Sequence, residues 1–407
     1  MSRTRQQAGR AAERGLRRQR AGGQSRVTNV ELFFDLVYVF AVTQLSHYLL
    51  AHQTVTGALR GGLLLVMVWL LWSYTTWVTN WLDPERIPVR LLLLGLMLVS
   101  LVMSAGLPEA FTDGGVLVGG AYAVMQIGRS VFSVWALRGA PQQRNFERIL
   151  CWCCVSGALA VAGGLAGPDV RGALWLAAVA VDLAGSAVGF YTPGLGRSST
   201  REWDIEGGHF AERCQGFILI ALGESIVVTG ATLARLLAGP LAAPHASAAP
   251  TVAAFAVAFI GSAGLWWLYF DRSAEAGART IARSADPGRL GRSAYHLIHP
   301  VMVAGIIVVA SADEVVLSDP RARTTVAAAW LLLGGYGLYL AGHAAFKAVV
   351  WRTISWSRIA AVAVLALLGL LAPHVAVLTL AICAAAVIVA VVVADYLTRN
   401  RAPGHAE

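Results

Sequence analysis

The sequence predicts an all-α, polytopic membrane protein of about 12 transmembrane helices, arranged as two parallel six-helix pseudo-repeats. Three observations carry this expectation. Hydrophobic residues make up 57% of the 407 positions and charged residues only 14%, against about 25% charged in an ordinary soluble domain. Apolar runs of roughly 18 or more residues recur along the whole chain, the length at which a helix crosses a hydrocarbon core. Basic residues also crowd into alternate connections, as they do when cytoplasmic loops retain positive charge. A bilayer offers no water to backbone groups, so spans of this kind must be helical.

Residues 1–27 form a basic arm. Eight arginines fall in the first 26 positions with no apolar period between them, which predicts a disordered segment on the cytoplasmic membrane surface. The apolar run behind it carries Glu31 and Asp35 and ends without a small-residue cleavage site, so it reads as an uncleaved first span. Twelve spans follow, at 30–50, 61–80, 90–107, 115–137, 149–166, 172–191, 209–231, 251–270, 294–311, 324–346, 358–373 and 375–396. The eleventh is short and meets the twelfth at Pro373-His374, which suits a tilted or re-entrant pair. With the N-terminus inside, inner segments hold 25 of the Lys and Arg residues and outer loops hold five. That asymmetry places both termini in the cytoplasm.

The two halves are 28–200 and 201–398, followed by a cytoplasmic tail at 399–407. Glu31 to Gln44 aligns without a gap on Glu212 to Ser225, each at the start of a span leaving the cytoplasm. The third and ninth spans both end in acidic loops, Pro108-Glu109 and Asp313-Glu314. The fourth and tenth place Arg129 and His343 nine residues before Arg138 and Arg352. Six spans per half is an even number, so the repeat is parallel.

The net charge of +9 comes from 31 arginines and a single lysine, Lys347. The inner loops account for it, so no nucleic-acid partner is predicted. The expected partner is the lipid bilayer, and a homo-oligomer stays open. Five cysteines lie in or beside apolar runs, and Cys151-Trp152-Cys153-Cys154 lacks a zinc-binding spacing. They read as reduced core residues.

Ionisable groups inside membrane-length runs are costly and usually face a bundle interior or a water-filled path. Glu31 and Asp35, spaced i and i+4, share one helix face about 6 Å apart along the axis. Arg129 lies at a compatible depth, so it is a candidate partner for Asp35. That pair is either functional or a buried ion pair that fixes packing. Glu224, in Ala221-Leu222-Gly223-Glu224-Ser225, has no Lys or Arg at its depth in the second half. It is either a proton-exchanging carboxylate or a neutral group bonded to a neighbouring helix. Asp182, in the middle of the sixth span, has the same two readings. His209 with Glu212, and His296 with His299, present two polar groups each at i and i+3. Together they could hold a metal in a bundle core, or be interfacial groups satisfied by neighbours. Pro300 should disturb the backbone bonds of the ninth span. There is no phosphate-binding glycine loop, no Ser-His-Asp arrangement with supporting context and no soluble catalytic domain, so no cofactor is predicted.

The stretch Glu31-Leu-Phe-Phe-Asp35-Leu-Val-Tyr-Val-Phe-Ala41 resembles the signature of the bacterial low temperature requirement A family. The resemblance continues through His209-Phe-Ala-Glu212-Arg213, Ala221-Leu-Gly-Glu224-Ser225, Tyr295-His-Leu-Ile-His299 and Tyr339-Leu-Ala-Gly-His343, and so covers most of the chain after residue 27. It implies a multi-pass protein of the bacterial inner membrane, in a family named for growth at low temperature, and supplies no reaction. Phe33-Phe34-Asp35, followed by Val37 and Ala41-Val42-Thr43, is also similar to the first-span signature of endolysosomal-type potassium channels. Phe34 stands where that pattern has serine, and Gly216 stands where its second copy has aspartate. This second likeness implies that the first and seventh spans line a pore, with Asp35 a packing anchor near its inner end.

The leading expectation is a transporter or channel that is proton-linked or cation-conducting, with H+ or a monovalent cation as the transported species. Its polar network would comprise Glu31, Asp35, Arg129, Asp182, Glu212, Glu224, His299 and His343. Two other classes stay open. One is an intramembrane metal-binding enzyme built on His209, Glu212, His296 and His299. The other is a structural or stress-adaptation membrane protein without turnover.

Overall fold

The structure, a computed structural model, describes residues 15–18, 27–198, 207–238, 249–284 and 286–401. The chain is a multi-pass all-α membrane protein. Its helices are α1 (Asn29–Ala51), α2 (Val55–Trp81), α3 (Ile87–Ala105), α4 (Gly115–Ala136), α5 (Gln143–Leu165), α6 (Pro168–Ala187), α7 (Gly207–Ala238) and α8 (Ala249–Phe270). They continue with α9 (Ser273–Ala282), α10 (Pro287–Gly291), a π-helical segment Arg292–Ile298, α11 (His299–Ser318), α12 (Val326–Trp351), α13 (Trp356–Leu368), a 3-10 turn Ala372–His374 and α14 (Val377–Arg401). Among the described residues, eleven stretches are long and apolar enough to cross a membrane: α1 to α8, Gly288–Ser318, α12 and α14. The short eleventh span corresponds to α13, whose 13 residues reach only about 20 Å.

Several helices run beyond their apolar stretches. α5 opens at Gln143 because Gln143, Arg144, Glu147 and Arg148 are good helix formers even though they are polar. Loop 271–293 contains α9, which buries Ser273, Ala274, Gly277 and Ile281 along one stripe. Proline sits in the first turn of α3, α6 and α10, where its missing N–H costs nothing. Pro300 removes the donor that would close an α-helical bond back to His296, and the turns just before it are π-helical. The disturbance expected at this proline therefore takes the form of a widened helix.

In α1 the usual placement of side chains is inverted. Glu31 and Asp35 are buried beside Phe34, Tyr38 and Val42, while Leu32, Phe33, Leu36 and Phe40 are exposed. The outward face meets hydrocarbon rather than water, so the apolar residues belong there.

The chain forms two compact units. The first takes residues up to Tyr38 and Met67–Phe210; the second takes Val39–Val66 and the chain from Ala211 onward. Within the first, α4 packs along α5 and α3, and α5 along α6. The α4–α5 crossing is close because small residues line it: a Cβ on Gly119 would strike the Ala160 carbonyl, and one on Gly164 the Gly115 carbonyl. Within the second, α11 packs along α12, α12 along α13, and α8 against α11 and α14.

Candidate functional site

The buried polar side chains gather into separate networks, each built within one unit. In the first unit, one lies at the start of α1. Thr28 precedes the helix and Glu31 occupies its third position. The Glu31 carboxylate accepts from the Thr28 backbone N–H at 2.9 Å and from its hydroxyl at 3.0 Å. This is half of a capping box, and it satisfies a donor that the helix start leaves open. The other carboxylate oxygen meets His209 Nε2 at 3.0 Å and Arg18 Nη1 at 3.5 Å. Arg18 also donates to the Thr79 carbonyl at 3.0 Å. Its own backbone N–H bonds to Trp81 O, while Asp83 N–H bonds to Leu16 O. Part of the arm expected to be disordered is thus fixed against the end of α2. Thr28→Ala keeps the backbone bond and removes the hydroxyl's bond to Glu31, which is expected to cost about 1 kcal/mol, read as a lower melting temperature of the detergent-solubilised protein. An unchanged melting temperature would mean that Glu31 is positioned without the Thr28 hydroxyl.

A second network lies deep in the first unit. Asp182 of α6 accepts at Oδ2 from the Tyr122 hydroxyl and from Gln126 Nε2, the latter at 2.6 Å. The same Gln126 accepts at its amide oxygen from Arg129. Gln126 therefore links carboxylate to guanidinium, donating to one and accepting from the other. Arg129 Nη1 reaches Leu71 O and Thr75 Oγ1, both at 3.4 Å, and the guanidinium lies 5.1 Å over the Tyr74 ring. Tyr74 in turn donates to the Asp182 backbone carbonyl at 3.1 Å. Asp182 Oδ1 is buried with no hydrogen-bond partner among the described residues. Asp35 accepts from Trp72 Nε1 at 2.7 Å. The pairing of Arg129 with Asp35 is not what forms: Arg129 turns along α4 and α2 to Gln126, and through it to Asp182. The i, i+3 spacing of Gln126 and Arg129 on α4 is visible in the sequence, but a neutral glutamine carries no charge signal.

The second unit holds Glu224 in the middle of α7. It is buried, with Thr43 and His47 as polar neighbours. Its Oε1 has no partner among the described residues. The adjacent Ser225 hydroxyl bonds to Ser262 at 2.9 Å. Asp313 is buried inside α11, with Oδ2 likewise unpartnered among the described residues. The sequence placed it in an outer loop because acidic pairs usually end spans.

Farther along this unit, His299 Nε2 meets the Tyr269 hydroxyl at 2.7 Å. His343 accepts at Nδ1 from Arg358 Nε at 3.4 Å and meets Ser273 Oγ at 2.9 Å through Nε2. A guanidinium only donates, so the His343 proton resides on Nε2. Arg358 holds Asp395 with two bonds, at 2.6 and 3.1 Å.

Glu212 departs from its expected role. Its side chain is exposed on α7, while the adjacent Arg213 is buried. The gap-free match to Glu31 suggested a buried equivalent, but one residue of helix rotation, about 100°, turns it outward. The four metal-ligand candidates have other engagements or positions. His209 holds Glu31, Glu212 is exposed, His296 is buried in the π-helical segment, and His299 holds Tyr269. Among the described residues no three His, Cys, Asp or Glu side chains converge as metal ligands.

The comparisons with known proteins bear on the same residues. The family model described as bacterial low temperature requirement A protein matches residues 26–393. The chain belongs to that family. The low temperature requirement A match takes in Glu31, Asp35, Arg129, Asp182, Glu224, His299 and His343, and it leaves out Arg18. An uncharacterized protein of Rhizobium meliloti (strain 1021) is 35% identical over 356 residues, covering 87% of this chain and 85% of its own. No solved structure matches the chain.

Proposed function

We propose that this low temperature requirement A protein moves protons or a monovalent cation across the bacterial inner membrane, with both termini on the cytoplasmic side. One observation carries the reading. Each unit buries a mid-span carboxylate with one oxygen that has no hydrogen-bond partner among the described residues, Asp182 Oδ1 in the first and Glu224 Oε1 in the second, with the Ser156 and Thr43 hydroxyls as polar neighbours. Such an oxygen can accept a proton or a cation without breaking an existing bond. In a structural network, by contrast, the available lone pairs are normally satisfied. The Glu31 cluster supports a structural role for that residue, since capping, His209 and Arg18 occupy it. Glu31 is therefore placed outside the transport step.

The test is flux in proteoliposomes under an imposed potassium gradient and then a pH gradient. Asp182→Asn and Glu224→Gln keep shape and remove the ionisable oxygen. Each is expected to reduce flux at least tenfold in protein with wild-type melting behaviour, whereas Glu31→Gln should retain most of it. Unchanged flux in both folded variants, or no flux in the wild type under either gradient, would retire the transport reading. It would leave the non-transporting, stress-adaptation reading in its place.

A further inference from the structure

A cavity of about 120 Å³ opens in the second unit where α8 gives way to α9. That is many times the roughly 10–15 Å³ a single water requires on this measure. Among its lining residues are Asp271, Arg272, Ser273, Lys347, Asp395 and Tyr396. Its two carboxylates already have cationic neighbours. Asp395 is held by the buried Arg358 at 2.6 Å, and Asp271 by Arg272 at 3.8 Å. Lys347 is different. It is half-buried, and among the described residues it has no hydrogen bond and no acidic group within ion-pair distance. Asp395 still attracts it through space, but Asp395 and Asp271 are each held by an arginine, so Arg272, Arg358 and Lys347 leave the cavity one positive charge in excess, with three N–H donors on Lys347.

The surroundings say where this charge is placed. Trp266, Trp267, Trp356 and Tyr396 are all exposed at this end of α8, α13 and α14. Such rings favour the headgroup level of a bilayer. Loop 271–293, which begins at the cavity, holds five arginines against the three carboxylates Asp271, Glu275 and Asp286, a net positive segment. A donor-rich pocket between helices at headgroup depth, on a basic face, suits an anionic phosphate. Lysine serves such groups as a compact point charge.

We propose that this cavity binds a phosphate group, either that of an anionic lipid headgroup or free phosphate, with Lys347 as its counter-charge. The site is independent of the transport reading, since neither Asp182 nor Glu224 lines it.

Full-length protein is reconstituted in phosphatidylcholine vesicles with and without phosphatidylglycerol. Thermal stability is followed as anionic lipid or, separately, inorganic phosphate is titrated. Retention of anionic lipid in micelles is measured by native mass spectrometry. Lys347→Gln is expected to weaken the stabilising titration about tenfold or more, as loss of a charge-assisted bond would. Arg279→Gln, which removes the same charge from α9 outside the cavity, is expected to leave it near wild type. Stabilisation by phosphatidylglycerol alone assigns the occupant as lipid. Equal stabilisation by inorganic phosphate, also lost in Lys347→Gln, assigns it as free phosphate. Equal weakening in both variants would reveal a general surface field and overturn the proposal, as would a wild type indifferent to both anions. If Lys347→Gln does not fold, Arg272→Gln at the rim carries the same comparison.

Discussion

Arg171→Met is expected to destabilise the protein by about 4 kcal/mol, on the scale set by orphaning several buried acceptors at once. Arg171, in the first turn of α6, is almost fully buried. Its guanidinium donates to Gly163 O, Gly164 O and Ala166 O at the end of α5, and to Ala110 O and Thr112 O in the connection before α4. The last carbonyls of a helix lack partners within it, and here one side chain from the next helix supplies them. Its Cζ also lies 5.8 Å over the centroid of the Trp175 ring. Chemical unfolding in micelles would measure the loss. Arg171→Lys is expected to recover less than half, because an ammonium cannot reach five carbonyls at fixed fork geometry. A lysine variant as stable as wild type would mean that charge alone matters there.

Arg129→Met is the second large effect, expected at about 3–5 kcal/mol, the range for removing one member of a buried charged network. The substitution preserves most of the apolar stem but strips Gln126 of its donor and leaves Asp182 without a cation in its network. Two causes can be separated by a double-variant cycle. If the uncompensated carboxylate dominates, Asp182→Asn in the Arg129→Met background should restore much of the stability. If the lost bonds to Leu71 O and Thr75 dominate, the two losses should simply add.

Most of the architecture was legible because membrane helices are written in one variable, the length of an apolar run. Each run appears as a helix, and the deviations occur where helices continue through polar sequence, as at Gln143 to Arg148. The sites were less legible because hydropathy and charge say which residues are buried ions without saying which way they turn. Glu212 and Arg213 are neighbours, one exposed and one buried, and no pattern in the sequence separated them. By hydropathy Arg171 falls in the connection between the fifth and sixth spans, yet it is buried and bonded to carbonyls that carry no sequence signature at all. The Glu31 environment was partly readable: Thr28-Asn29-Val30-Glu31 has the spacing of a capping box. An acidic residue in an apolar run has a functional reading as well, and spacing alone does not choose between the two.

The guanidinium of Arg18 acts as an intramolecular ligand. It meets Glu31 and His209, which lie inside the family-matched stretch, from a position outside that stretch. Only 13 positions of chain separate it from Glu31, and a tether that short holds a group at a local concentration on the order of millimolar. Occupancy at this end of α1 is therefore set by chain connectivity rather than by protein concentration, and dilution into micelles leaves it unchanged. A chain shortened to begin at Arg26 would present the same carboxylate and imidazole to whatever cation the solution provides.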